Sequence, residues 1–309
     1  VSPATETLEH PAARIAVVGT GRMGAAMAVR LSEQGRDVVA LYNRTASKAE
    51  AVAARVRAPV AGTAREAAEP ADVVLVSLGD DDAVLSTYRG ADGLTAGLQP
   101  DAVVVETSTV DPRIVEEMAQ AVAECDAGLI DAPVSGSVPL VQKGELTFMA
   151  GGDPRQLELV RPVLDALARQ VFHVGGSGAG AAMKLAVNAV VLSLNQVLSE
   201  ALVLAEAAGI DRSAAYDVLA ASAVGAPFVH YKRDAFEHPD DAPVAFSLGL
   251  VLKDLSLITG FAERLGVPME QSVQNRLVAQ AAVDAGLGDR DMSAIARYLA
   301  DRRHTTGSS

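Results

Sequence analysis

Arg14-Ile15-Ala16-Val17-Val18-Gly19-Thr20-Gly21-Arg22-Met23-Gly24 is the stretch that decides the fold. Residues 14–18 read as a short buried strand, and the Gly-x-Gly-x-x-Gly spacing turns it into a helix running through Leu31. The first glycine permits a tight turn and the second lets backbone approach a pyrophosphate. The third lets helix pack on strand. The new helix presents free N–H groups and a positive dipole end to phosphates. Asp37-Val38-Val39-Ala40-Leu41-Tyr42 then supplies a second strand at the βαβ distance. Gly19, Thr20, Gly21, Arg22, Met23 and Gly24 are therefore expected to bind a dinucleotide.

The end of that second strand points to the kind of dinucleotide. An NAD site usually places Asp or Glu there for the ribose 2′-hydroxyl, and a carboxylate would repel a 2′-phosphate. This chain has Asn43-Arg44-Thr45 instead: no carboxylate, one cation and two neutral hydrogen-bonding groups. A guanidinium pairs with phosphate bidentately and can stack on adenine. Asn43, Arg44 and Thr45 thus predict NADPH/NADP+ over NADH. The alternative is a solvent-exposed arginine after a strand, with NAD still preferred.

Working outward, apolar strand-like runs alternate with helical stretches to about Val174. Residues 73–77, 102–106 and 128–131 read as strands, and 146–150 and 170–174 complete the sheet. Continuous apolar strands separated by helices indicate an α/β Rossmann fold, a doubly wound, mostly parallel sheet. Ligands of such a sheet sit beyond the carboxyl ends of its strands. Gly19, Ser77 with Leu78, Ser108-Thr109 and Asp131 fall there. From Ala181 to about Ala208 neither Pro nor Gly interrupts the chain, which predicts one helix roughly 40 Å long at about 1.5 Å per residue. It is apolar nearly all round, so it is expected to be buried, with a partner subunit covering part of it. Lys184, Asn188, Asn195, Gln196 and Glu200 break the run and argue against a membrane span. The remainder, to Arg303, is helical in pattern. The expected organisation is a mobile leader (1–13), a dinucleotide-binding domain (14–177), an all-α domain (178–304) containing the long helix 181–208, and a tail (305–309).

Composition narrows the function. The 309 residues are half hydrophobic, with few aromatics and no tryptophan, so the core must be Ala, Val and Leu. A formal charge of −13 argues against nucleic acid and anionic membrane as partners. The single cysteine, Cys125, allows no intramolecular disulfide and fits a reducing, cytoplasmic location. No His, Cys or carboxylate spacing suggests a metal site.

Three segments carry chemistry. Asp131-Ala132-Pro133-Val134-Ser135-Gly136-Ser137 offers small residues, backbone N–H groups and two hydroxyls, which suit a carboxylate; the same composition also describes an ordinary Ser/Gly loop. Gly175-Gly176-Ser177-Gly178-Ala179-Gly180 permits close backbone approach, to the nicotinamide on this reading. It leads to Lys184 and Asn188, which share one helix face at i and i+4. A lysine opening a buried apolar helix should have a lowered pKa, as a general acid or base near neutrality requires. The helix dipole acts in the same direction. The other reading is a snorkelling lysine whose ammonium reaches water. Phe246-x-Leu248-x-x-x-x-Lys253-Asp254 could close over the cofactor from the helical domain, although a Lys-Asp pair is also a common solvated helix face.

Together these segments resemble the β-hydroxyacid dehydrogenase family, whose members include 3-hydroxyisobutyrate dehydrogenase and glyoxylate/succinic semialdehyde reductase. The resemblance spans roughly Arg14 to Tyr298. It rests on Gly-x-Gly-x-Met-Gly at Gly19–Gly24, Ser108-Thr109, Asp131–Gly136, Gly144-x-Leu146-Thr147 with Gly151-Gly152, Gly178–Asn188, and Lys253-Asp254. It implies a Rossmann domain joined by a long helix to an all-α domain, assembled as a homodimer or homotetramer through that helix. It places the catalytic lysine at Lys184 and its supporting asparagine at Asn188. Substrate carboxylate binding falls on Ser135, Gly136 and Ser137, where many members have a second glycine in place of Ser137. Thr109 would lie near the nicotinamide, Lys253 and Asp254 would close the site, and Phe246 would line it. The implied reaction interconverts a small aldehyde acid and its hydroxy acid by hydride transfer, with Lys184 as general acid/base. Imine reductases share the architecture and the Asn-Arg-Thr signature, but they usually replace the lysine and lack the Asp131–Gly136 motif. An inactive oligomerisation module on the same fold would tend to lose Lys184.

Overall fold

The computed structural model describes residues 13–239, 241 and 243–306. The leader expected at 1–13 lies outside these residues except for Ala13. Contacts divide the chain within one helix, between Lys184 and Leu185, into two compact units.

The first unit alternates strand and helix. β1 (Arg14–Val18), α1 (Arg22–Glu33), β2 (Asp37–Tyr42), α2 (Ala46–Val56) and α3 (Ala64–Ala68) come first. They are followed by β3 (Val73–Val76), α4 (Asp81–Tyr88), β4 (Val103–Glu106), α5 (Pro112–Ala123) and β5 (Gly128–Asp131). β6 (Val134–Ser135), α6 (Val138–Lys143), β7 (Leu146–Gly151), α7 (Pro154–Asp165) and β8 (Ala168–Gly175) complete the alternation, and the long helix α8 (Ala179–Ala207) begins here.

These strands form one sheet in the order β2-β1-β3-β4-β5-β7-β6, with β8 paired to β7. β2, β1, β3, β4 and β5 run parallel, and β7 is antiparallel to β5 and β6. Every residue of β3, β4 and β5 is buried, which is why their sequence shows no polar alternation. Side chains such as Ile15, Leu41 and Phe148 form the core on one face of the sheet. Val74, Tyr88 and Met118 belong to that on the other. The register sets the carboxyl ends level: Tyr42 opposes Val18, Val18 opposes Val76, Val76 opposes Glu106, and Glu106 opposes Asp131. The chain reverses its winding between β1 and β3, so the switch point lies at the glycine turn.

The second unit holds the rest of α8 with α9 (Arg212–Ala221), α10 (Pro227–Glu237), α11 (Leu248–Arg264), α12 (Glu270–Ala282) and α13 (Ala294–Thr306). Among its described residues there is no strand beyond the isolated bridge between Ser247 and Asp291. Its core contains Leu192, Leu198, Leu202, Tyr216, Phe236, Leu255 and Ile258. Tyr216 satisfies its buried hydroxyl by donating to the Val229 carbonyl at 2.7 Å.

Two sequence expectations change here. α8 is not buried all round: Met183, Val190, Val197 and Leu204, each seven residues after the last, are 40%, 70%, 47% and 72% exposed. Sequence hydrophobicity shows that an apolar face needs cover, but not whether the same chain supplies it. In addition, α13 continues through Thr306, so Thr305 and Thr306 are helical rather than tail. Extending a formed helix costs far less than starting one.

Candidate active site

The glycine turn is built as the spacing requires, with one refinement. Gly19 has φ +92°, and a Cβ there would strike the Ser77 carbonyl. A Cβ on Gly24 would strike the carbonyl of Gly19, so the third glycine makes room for the turn itself. Gly21 faces open space. Its neighbour Thr20 is 4% exposed, and its buried hydroxyl has no hydrogen-bond partner. No side chain caps α1, and no acidic residue lies in its first turn. An uncapped positive helix end, an open glycine and an unsatisfied buried hydroxyl at a sheet switch point fit the pyrophosphate of a dinucleotide.

Asn43 has a structural task at the place where the sequence put a cofactor residue. Its Oδ1 accepts the Thr20 amide at 3.0 Å, and its Nδ2 donates to the Thr45 carbonyl at 3.0 Å. The side chain therefore ties the glycine turn to the end of β2. Arg44 and Thr45 are exposed beside it.

The ends of β3 and β4 are cross-linked by Ser108 together with Glu106, Tyr88 and Thr107, which local sequence did not single out. The Ser108 hydroxyl accepts the Leu78 amide at 2.8 Å, and Glu106 accepts the Ser108 amide at 2.8 Å. Tyr88 donates its hydroxyl to the other Glu106 oxygen at 2.9 Å, and Thr107 donates to the Val76 carbonyl at 2.6 Å. Glu106 is 1% exposed, and burial pushes its carboxyl up to about 7 against the pull of these hydrogen bonds. Burial, with Glu106 alongside, also pushes Tyr88 well above its ordinary range. Ser77, Leu78 and Thr109 are thus held on a rigid edge. The available signal was a carboxylate ending the buried run Val103-Val104-Val105.

Asp131 is also structural. Its carboxylate accepts the Gly178 amide at 3.1 Å and the Ala181 amide at 2.8 Å, anchoring the start of α8 to β5. Burial raises its pKa to about 6, opposed by those amides. A Cβ on Gly180 would meet the carbonyls of Asp131 and Met149. Gly180 therefore serves the docking of α8 on β5 and β7. Ser135 ends β6 opposite Thr147, and Gly136 follows with φ +141°. Ser137 opens α6 without its side chain capping the helix.

In the helical unit, Asn188 donates Nδ2 to Asp254 Oδ2 at 2.6 Å, and the other oxygen of Asp254 lies 2.8 Å from Lys253 Nζ. Asp254 is 1% exposed, so Lys253-Asp254 is not a solvated helix face. Lys184 lies four residues before Asn188 on α8 and is half-buried. Phe246 is half-buried against the helical core, and its amide donates to Asp291.

Residues 14–175 match the family model for the NAD binding domain of 6-phosphogluconate dehydrogenase. Residues 178–299 match that for the NAD-binding region of NADP-dependent 3-hydroxyisobutyrate dehydrogenase. The 2-(hydroxymethyl)glutarate dehydrogenase of Eubacterium barkeri is 30% identical over 91% of this chain and 93% of its own. Glyoxylate/succinic semialdehyde reductase 2 of Arabidopsis thaliana is 30% identical over 92% of this chain and 79% of its own. The crystal structure of 3-hydroxyisobutyrate dehydrogenase from Salmonella typhimurium superposes with a TM-score of 0.84 at 26% identity, covering 92% of this chain and 99% of that one. An imine reductase from Streptomyces aurantiacus shares the fold, with a TM-score of 0.60 at 24% identity over 93% of this chain and 99% of that one. With both units matched and full-length relatives that are dehydrogenases and reductases, the chain belongs to the β-hydroxyacid dehydrogenase family and is an NAD(P)-dependent oxidoreductase acting on hydroxyl-group donors.

Proposed function

We propose that the enzyme uses NADPH to reduce a small carboxylate-bearing aldehyde, of the semialdehyde or glyoxylate type, to its hydroxy acid. The observation that carries this reading is the buried Asn188–Asp254 bond, four residues beyond Lys184. It fixes an amide next along the helix from the one lysine the family motif assigns to proton transfer.

NADPH, when bound, supplies the hydride. The chain's own residues do the remaining work. Lys184 gives a proton to the aldehyde oxygen. Asn188 orients Lys184 and that oxygen. Ser135, Gly136 and Ser137 hold the substrate carboxylate, with Ser137 adding a hydroxyl and narrowing the pocket. Phe246 lines the site, and Lys253 and Asp254 complete it. The Gly19–Gly24 turn binds the pyrophosphate, Arg44 the 2′-phosphate, with Thr45 beside it, and Ser77, Leu78 and Thr109 the nicotinamide end. Part of the rate comes from fixing donor and acceptor geometry.

The same reading includes a homodimer or homotetramer built on α8. The exposed heptad of α8 offers the apolar surface for it. On α12 Val273 and Leu277 are also exposed, at 37% and 52%. α8 is long and apolar enough to cross a membrane by length and composition, but Asn188, Asn195, Gln196 and Ser199 are buried on its other side. We assign it to protein contact rather than lipid. The single Cys125 supports a cytoplasmic location, and the net charge supports a small-molecule substrate rather than nucleic acid.

Initial rates test the reading. The panel is glyoxylate, succinic semialdehyde, tartronate semialdehyde, methylmalonate semialdehyde and a cyclic imine, each with NADPH and NADH. Fast turnover of an aldehyde acid with NADPH is expected, and Lys184→Ala should lower it by several orders of magnitude while NADPH still binds. Turnover of the imine alone would overturn the substrate class.

A further inference from the structure

A second buried ion pair lies in the helical unit, apart from Lys253 and Asp254. Lys232 on α10 and Asp291, just before α13, are 3% and 5% exposed, and their charged atoms are 2.5 Å apart. Asp291 Oδ1 also accepts the Ser293 amide at 3.1 Å. Its Oδ2 accepts the amides of Ala245 and Phe246 at 3.0 and 3.2 Å. One carboxylate thus takes four donors, two of them from the segment that carries Phe246 and leads into α11.

The main chain reinforces this clasp. Met292 donates its amide to the Phe246 carbonyl at 2.8 Å, and Leu248 donates to the Arg290 carbonyl at 2.9 Å. Ser293 fastens the other side through its hydroxyl, which donates to the Ala235 carbonyl of α10 at 2.8 Å. Phe246 is followed directly by Ser247, whose hydroxyl caps α11, and Lys253-Asp254 lie less than two turns further on. Burying two charges is a poor route to stability, because desolvation offsets most of their attraction. What this pair does achieve is geometric: only an ionised carboxylate accepts on every side, and only a nearby cation makes it tolerable in the core.

We propose that Lys232 and Asp291 are positioning residues of the reductase, fixing the main chain at Ala245–Phe246 and so the seat of Phe246 against the substrate. The assignment rests on the reading of Phe246 as a substrate-lining residue. It acts on substrate fit, so its signature is a change in KM for the aldehyde acid with kcat and NADPH affinity nearly unchanged.

Two double variants test it. Lys232→Met with Asp291→Leu removes both charges together with the clasp. Lys232→Gln with Asp291→Asn removes the charges but keeps an acceptor oxygen for the two amides. The first should fold, raise KM about tenfold or more, and speed hydrogen exchange at the Phe246 and Met292 amides. The second should return KM to within about threefold of wild type. Should the first pair fail to fold, a KM in the second pair near wild type still supports the clasp, and one raised as far as tenfold overturns it. A folded Met/Leu variant with wild-type KM would show a purely structural pair and overturn the inference. A wild-type enzyme that turns over no aldehyde acid overturns the proposed function, and this inference with it, so the two failures are told apart before any variant is made.

Discussion

Asn188 Nδ2 donates to Asp254 Oδ2 at 2.6 Å across 66 residues of sequence, with both side chains almost wholly excluded from solvent. An ionised carboxylate can only accept, so the bond sets the orientation of the amide. The carbonyl oxygen of Asn188 is thereby turned away from Asp254. The Lys253 ammonium balances the other carboxylate oxygen.

Asp254→Asn should therefore damage catalysis more than cofactor binding. The substituted amide can face Asn188 in two ways, and the carboxylate charge beside Lys253 is lost. A misplacement of about 1 Å near the reacting atoms costs on the order of a hundredfold. Steady-state kinetics should show kcat down about tenfold to a hundredfold, with NADPH affinity within about twofold. An unaltered kcat would mean that Asn188 needs no anchor.

The end of β2 makes a prediction about cofactor choice. Arg44→Ala should weaken NADPH by about tenfold to a hundredfold and leave NADH nearly untouched, since a charge-assisted pair to phosphate is lost only with the former. Asn43→Asp can still accept the Thr20 amide, but it places a negative charge beside the 2′-position and cannot donate to the Thr45 carbonyl. It should shift the preference towards NADH and cost about 1 kcal/mol of stability. Binding titrations with both cofactors decide the point; parallel losses for NADPH and NADH would remove Arg44 from the 2′-phosphate.

Glu106 and Asp131 make stability depend on pH in a defined direction. Both carboxyls ionise less readily folded than unfolded, so the native state holds extra protons between the ordinary and raised values. Stability should therefore fall as pH rises, from 4.5 to about 7 for Glu106 and from 3.8 to about 6 for Asp131. The Glu106 contribution is on the order of 3 kcal/mol, fully present below its unfolded pKa and lost above its folded one. Glu106→Gln keeps an acceptor for the Ser108 amide and a donor for Tyr88 but cannot ionise. Its melting temperature should fall less than that of wild type between about pH 5 and 7.5, and identical slopes would show that Glu106 ionises normally.

The uncovered heptad of α8 predicts assembly. Val190→Glu with Leu204→Glu places two charges on a face that the single chain leaves open. Light scattering after size exclusion should give at least a dimer for wild type and a smaller species for the variant, with helix content retained. A wild-type monomer would mean that this face meets something else.

Much of the architecture was legible because it is written locally. The glycine turn, the strand runs 73–76 and 103–106, and the 29-residue helix each follow from spacing over a few residues, and the i, i+4 relation of Lys184 and Asn188 follows from helical period alone. Partners were not legible. The bond from the Thr20 amide to Asn43 was not, because it depends on how β2 ends against β1. Glu106 looked like the end of a strand until register set it against Tyr88, Ser108 and Asp131. Among the glycines before α8, packing against β5 and β7 claims Gly180, while Gly176 faces open space, a division that spacing alone does not show. Sequence by itself determined the dinucleotide fold, the division into sheet and helices and the candidate proton donor, because turn chemistry and periodicity act between near neighbours. Only the tertiary structure decided which buried polar group satisfies which other, as at Asn188–Asp254 and Lys232–Asp291. Those choices are made by elements that meet across 59 or 66 residues, and no local pattern encodes that distance.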